Sequence, residues 1–359
     1  MVTRRAKVRE RLWVVLALLL CALVAQRGTM GAQERVTIVA SGLTNPRGFA
    51  FGDNGEIVVA IAGQSGATAG VARIDDAGCP VPIVAGLPSY RVAFGGPVGV
   101  ADVAFRNGQL YALYAGGNID GGGMRNGLYR VEERGEPTLV ADVSAFIRDN
   151  PVAERPGDYD TDGQPYAMVA MGDAFWATEG NSNQLLRLGL DGNVSRIADL
   201  SAGHPIPTGI APAPGGGAYV AFFTPAPYRD GAASVIEVFP EGAVKEVWSG
   251  LTLVTALAEG PDGGLYALEM ATEIDPDDPS SIAPGSGRVV RQTGPKASEE
   301  VVTGLALPVA MDVGPDGALY VASPAFGGDD GAGAILRIDL AGDIPVAILD
   351  PLTAPAACP

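Results

Sequence analysis

Short apolar runs recur along most of this chain, and they come in sets separated by glycine-bearing turns. The last set is the clearest. An apolar run at 309–313 is followed by Gly314-Pro315-Asp316-Gly317, then by Ala318-Leu319-Tyr320-Val321, and a third run fills 333–338. Runs of this kind, bounded by turn residues, predict strands packed through both faces. Proline presets φ early in the turn, and glycine accepts the positive φ that closes it, so each set reads as an antiparallel meander.

Six such sets occur, marked by Val58, Tyr111, Trp176, Tyr219, Tyr266 and Tyr320, with gaps of 53, 65, 43, 47 and 54 residues. Repeats of about 40–50 residues with several strands each are the mark of propeller blades. The expected fold is all-β: a six-bladed β-propeller of four-stranded antiparallel blades. Third strands are expected at 71–74, 128–131, 185–188, 235–238, 289–291 and 333–338, and outer strands at 82–85, 138–141, 194–198, 244–248 and 299–303. The arginines recurring in third strands are expected to be structural partners. One strand, 36–40, precedes the first set and resembles the outer strands, so it is expected to complete the last blade and remove a free edge. Residues 344–349 compete for that place. With 50 glycines and 28 prolines, helix is expected to be nearly absent.

The remaining composition bears on location and partners. A basic leader (Arg4, Arg5, Lys7, Arg9, Arg11) precedes a 14-residue apolar run at 12–25. That run is short for a bilayer span, which needs about 20 residues, but suits an export signal. Residues 1–32 are therefore expected to be a signal peptide and 33–359 a single propeller domain, periplasmic or extracellular. Residues 1–32 hold six of the 24 basic residues and one of the 41 acidic ones, so the remainder carries a formal charge of −22. Such a surface repels phosphate backbones, which excludes nucleic acid as a partner. The expected partner is a small molecule or a protein, and the expected state is a monomer without a membrane span. Cys79 and Cys358, both beyond the leader, are a candidate disulfide bracing the seam of the ring.

The chain resembles the ScyD/ScyE family of exported NHL-like propellers over roughly 36–340. The likeness is carried by Gly42-Leu43-Thr44-Asn45-Pro46-Arg47-Gly48-Phe49-Ala50-Phe51, by Asp102-Val103-Ala104-Phe105, by the stretch from Asp149-Asn150-Pro151 to Gln164-Pro165-Tyr166, and by Gly180-Asn181-Ser182-Asn183-Gln184-Leu185-Leu186-Arg187. Ala101 and Ala256 depart from it, standing where similar proteins often carry histidine and aspartate. The resemblance implies fold, export and an accessory or binding role, without a shared activity.

Propeller channels are walled by first strands, which nominates Arg47, Asp102, Tyr166, Thr208, Thr255 and Asp312. Second strands end at Ile61, Tyr114, Glu179, Phe222, Glu269 and Ser323. Asp102, Glu179, Glu269 and Asp312, with Asn181 or Asn183, form a candidate oxygen-ligand set for a hard cation such as calcium. That set makes metal-dependent hydrolysis, as in lactonase-like propellers, the alternative to a ligand- or protein-binding role. The competing reading gives each carboxylate a structural partner. Asp158-Tyr159-Asp160-Thr161-Asp162-Gly163 has the first half of a calcium loop, but Val169 stands where the closing glutamate is needed. His204 is the only histidine, a candidate base and too few for a histidine metal centre. It also weakens a quinone-dependent dehydrogenase reading, which needs a histidine base over the cofactor.

Overall fold

A computed structural model describes residues 35–92, 96–120, 123–133, 135–278, 280–340, 346–348 and 358. The signal peptide expected over 1–32 lies outside the described residues. Six sheets, each built on a four-stranded antiparallel meander, stand around one axis, and the inner strand of each packs on the inner strands of both neighbours, the sixth returning to the first. The expected six-bladed propeller is the observed fold.

The inner strands, in blade order, are Pro46–Phe51, Val100–Arg106, Pro165–Met171, Pro207–Pro212, Val254–Glu259 and Ala310–Val313. Each pairs with the next strand in sequence, and the meander runs outward from there. The core is a set of apolar layers between blades, with Phe175 and Trp248 fully enclosed. Both faces of a blade are covered, which is why third-strand residues such as Leu185, Leu186 and Leu188 are all buried. In blades 3, 5 and 6 the recurring arginine clips the third strand to the first turn of its own blade, whereas Arg130 of blade 2 pairs with Glu132. Arg187 meets Asp173 at 2.6 Å, Arg291 meets Asp262 at 2.5 Å, and Arg337 meets Asp316 at 2.6 Å. These half-exposed pairs fix turn geometry more than they add stability.

Two details add to the expected fold. The 65-residue gap between Tyr111 and Trp176 contains a helix, Val143–Asp149, capped by Asp142, whose Oδ1 accepts the Ala145 amide at 2.9 Å. Val143 and Ile147 on this helix are buried against blades 2 and 3, so an insertion became a buttress. Blade 1 also gains a short fifth strand, Pro97–Val98, paired to Pro80–Arg91.

Val36–Leu43 pairs antiparallel with Gly333–Ile338, so the strand that precedes the first blade completes the sixth. The competitor at the other end, Val346–Ala347, joins blade 5 in parallel instead. Cys79 and Cys358 are joined, with Cα atoms 5.5 Å apart. The Cys358 side chain lies against Gly42 of the closing strand, beside the Ser41 amide bonded to the Gly78 carbonyl at 3.0 Å. The bridge spans 279 residues and sits on the seam. Cys358→Ser is expected to cost about 2–5 kcal/mol, read by urea unfolding, and to make stability insensitive to reductant. Equal stability of wild type and variant would remove the bridge from any structural role.

Candidate functional site

The inner strands enclose a central cavity of about 1160 Å³. Its mouth is framed by loops joining second to third strands and by loops entering the inner strands, which supply Phe223, Tyr228, Phe326 and His204. The pairing of each inner strand with its neighbour defines tiers around the axis. Residues equivalent by register are Arg47, Ala101, Tyr166, Thr208, Thr255 and Val309 in one tier, then Gly48, Asp102, Ala167, Gly209, Ala256 and Ala310 in the next. Blades 1 to 5 each carry a register irregularity at this point of the inner strand. Bulges of this sort re-aim side chains beside sites. Asp312 belongs two residues further along, opposite Tyr320, at a depth about 6–7 Å from the Asp102 tier. The ring of six polar positions expected from sequence is thus staggered over three levels.

Thr208 and Thr255 act between blades. Thr208 Oγ1 donates to the Val254 carbonyl at 2.6 Å, and Thr255 Oγ1 to the Pro308 carbonyl at 3.4 Å. Arg47, in the same tier, spends one nitrogen the same way, Nη2 donating to the Pro97 carbonyl at 2.6 Å, and lies 5.3 Å over the Phe326 ring. No carboxylate among the described residues pairs with it. Burial lowers its pKa and the nearby Tyr166 raises it, yet it remains a cation at any physiological pH. The Tyr166 phenol makes no hydrogen bond among the described residues. Burial pushes its pKa up to about 12 against the pull of Arg47, so it stays a donor.

Asp102 and Asp312 are the acidic members. Asp102 Oδ1 accepts the Val103 amide and Oδ2 the Met168 amide of blade 3, each at 2.8 Å. A Cβ on Gly48 would stand 1.7 Å from Asp102 Oδ1, so only glycine lets the carboxyl lie against blade 1. Burial raises the Asp102 pKa to about 7; the two amides oppose this, and repulsion from Asp312 adds to it. Asp312 is open to the lumen yet deep in the disc. Burial brings its pKa up to about 6, opposed by its one hydrogen bond, from the Val313 amide at 2.7 Å. Since Asp312 ionises first, the repulsion falls on Asp102.

The glutamates expected beside them face elsewhere. Glu179 is fully buried and accepts the amides of Gln164 (2.6 Å), Asn181 (3.0 Å) and Ser182 (2.9 Å), together with the Ser182 hydroxyl. Glu269, also fully buried, accepts the Thr252 amide at 2.5 Å and pairs with Arg288. Burial raises the Glu269 pKa, while Arg288 and the amide oppose it. A buried carboxylate must be met by donors, and here the backbone and an arginine meet it inside the blade. Replacing Arg288 by Met is expected to cost about 3–5 kcal/mol, because it strands the partner charge. A urea midpoint unchanged from wild type would refute it.

The acidic loop is likewise engaged. Asp162 accepts the Ile119 amide at 3.0 Å and Arg148 at 2.7 Å, Asp160 accepts the Asp162 amide at 2.9 Å, and Asp158 approaches His204. The three carboxylates answer three different partners. Among the described residues no group of three or more His, Cys, Asp or Glu side chains could hold a metal ion. The expected calcium sets, at the channel and in this loop, therefore do not assemble.

His204 lies at the mouth. Its Nδ1 is 2.7 Å from Asn183 Nδ2, and its Nε2 is 3.5 Å from Asp158 Oδ1. Asn181 lines the same part of the cavity, donates to the Asp158 carbonyl at 2.8 Å and accepts the Asp160 amide at 2.6 Å. Sequence alone could not join Asp158, Asn183 and His204, since only the packing of loops from blades 3 and 4 brings them together.

No family model matches the chain, and no curated protein does. Solved structures do. An oxidoreductase described as a glucose dehydrogenase, from Thermus thermophilus, is 19% identical with a TM-score of 0.58, covering 85% of this chain and 99% of that one. The PQQ-bound aldose sugar dehydrogenase of Streptomyces coelicolor is 16% identical with a TM-score of 0.54, covering 85% and 97%. A structure described as a gluconolactonase is 15% identical with a TM-score of 0.51, covering 85% and 91%. No helix among the described residues is long and apolar enough to cross a membrane. At these identities the likeness establishes the architecture: the chain is a six-bladed β-propeller like those of the gluconolactonase and sugar dehydrogenase structures.

Proposed function

We propose that the protein is an exported propeller enzyme that acts on a small organic molecule by acid–base chemistry in its central channel. Hydrolysis of a lactone or ester is the reaction its residues support best. The carrying observation is one cavity holding two carboxyls raised to about 6 and about 7 beside donors on Arg47 and Tyr166 with unused capacity. Carboxyls whose environments separate their pKa values divide into base and acid. Between those values Asp312 is ionised and takes a proton from water, while Asp102 is protonated and gives one to the departing alkoxide. Arg47 and Tyr166 hold the carbonyl oxygen and meet the negative charge that develops on it. The presence of a lactonase and sugar dehydrogenases among the structural neighbours agrees with a small carbonyl or hydroxyl compound as substrate.

The residues do not fit a calcium-assisted version, because Glu179 and Glu269 are turned into their blades. They do not fit a quinone-dependent dehydrogenase either, since the one histidine is committed at the mouth. A second reading, a binding or accessory protein of the ScyD/ScyE type, is favoured by the aromatic walls Phe49, Phe105, Phe223 and Phe326. Purified protein offered a panel of lactones and esters is expected to turn over at least one, fastest between about pH 6 and 7, the interval set by the two carboxyls. Saturable binding without turnover across the panel would replace the enzyme by the binding protein.

A further inference from the structure

Asn183 is completely buried, and its amide has every partner it can use. Its Oδ1 accepts the Ile206 amide at 2.7 Å. Its Nδ2 donates to the Asn181 carbonyl at 3.1 Å and faces His204 Nδ1 at 2.7 Å. Turning the amide over would set oxygen against the Asn181 carbonyl and NH2 against the Ile206 N–H, two buried conflicts at once. The amide is therefore fixed with a proton aimed at Nδ1. A nitrogen that receives a hydrogen bond carries no proton, so the imidazole proton resides on Nε2.

The surrounding backbone holds this arrangement under strain. His204, Ile206 and Thr224 all have positive φ, 52°, 58° and 75°, and all three line the cavity. For β-branched residues that region is costly, and such costs gather where a site needs a fixed shape. The Phe223 amide bonds the Ile206 carbonyl at 2.9 Å and the Thr224 amide the Pro205 carbonyl at 3.1 Å, tying the two strained segments together. Beyond them, Nε2 and Asp158 Oδ1 stand 3.5 Å apart, longer than a good hydrogen bond. A donor and an acceptor so placed are both free to engage a third group.

We infer that His204 is a locked hydrogen-bond donor rather than a base, and that with Asp158 it forms a subsite at the channel mouth for a substrate hydroxyl. The hydroxyl oxygen accepts from Nε2–H, and its O–H donates a hydrogen bond to the Asp158 carboxylate. An ether or a methyl at the same place satisfies only one of the two or neither. The substrate class this adds is a hydroxylated molecule whose apolar part rests on the aromatic wall and whose hydroxyl lies at the entrance. The inference rests on the channel being a small-molecule site and is independent of the reaction performed there.

His204 is the only histidine, so ¹⁵N-labelled protein gives one imidazole spectrum. Nδ1 is expected in its unprotonated form and Nε2 protonated, and Asn183→Asp, which supplies an acceptor in place of the donor, is expected to move the proton to Nδ1. Titration with cis-1,2-cyclohexanediol is expected to shift the Nε2 resonance, with cis-1,2-dimethoxycyclohexane binding about tenfold more weakly, the loss of one hydrogen bond to a charged group. Asp158→Ala, at an exposed position, brings the diol to the level of the ether. Wild type with its proton on Nδ1, or mixed between nitrogens, overturns the lock. Equal effects of diol and diether, or no effect of either on His204, overturn the subsite. Neither readout depends on turnover, so a protein inactive toward every lactone leaves both results interpretable.

Discussion

Glu179→Ala is expected to lose on the order of 4 kcal/mol of unfolding free energy. The substitution deletes the acceptor of three backbone amides and a hydroxyl at once, in a place with no access to solvent. Each buried donor left without a partner costs about 1–3 kcal/mol, and water can repay only part of that by entering. A domain stable by about 5–15 kcal/mol loses a large share of its margin. Glu179→Gln keeps one acceptor oxygen but turns an NH2 toward a donor, so it is expected to fall between the two. Urea unfolding provides the measurement, and a Glu179→Ala variant within about 1 kcal/mol of wild type would show that these amides find other partners. If Glu179 instead served chemistry in the channel, activity would fall with stability intact, the opposite pattern.

Asp312→Asn is expected to do the reverse: about 10²–10⁴-fold lower kcat with the fold preserved. The side chain makes one hydrogen bond, to the adjacent Val313 amide, which an amide oxygen can also accept. Wild-type kcat is expected to rise as Asp312 loses its proton around pH 6 and to fall as Asp102 loses its own around pH 7. Both groups are raised by burial, so both limbs lie above the ordinary carboxylate range. The asparagine variant loses the rising limb and keeps the falling one. Near-wild-type turnover in Asp312→Asn, or a profile flat from about pH 5 to 8, would end the assignment of base and acid.

The ring itself was legible because its information is local. Strands such as 185–188 and 318–321 announce themselves as short apolar runs, and their turns by proline and glycine. The closing strand was legible too, since Val36–Leu43 has the character of an outer strand and no blade of its own. The site was legible only in part. Arg47, Asp102, Tyr166 and Asp312 do line the channel, but alternation cannot locate a bulge, so their staggering in depth was invisible. Glu179 and Glu269 misled for a different reason. Sequence displays a charge and conceals what meets it, and the donors here are backbone amides and an arginine 19 residues away. The partnership of Asn183, His204 and Asp158 was illegible altogether, because it is made by three separate loops that meet only once the blades have folded.

The strand that completes the sixth blade also governs when this molecule becomes a protein at all. Val36–Leu43 emerges early and its partner Gly333–Ile338 very late, so cohesion waits on a contact between opposite ends of the polypeptide. Such long-range pairing is slow to form, and until then the sixth blade lacks its outer strand. A chain built this way can close its ring only after the last blade has been made.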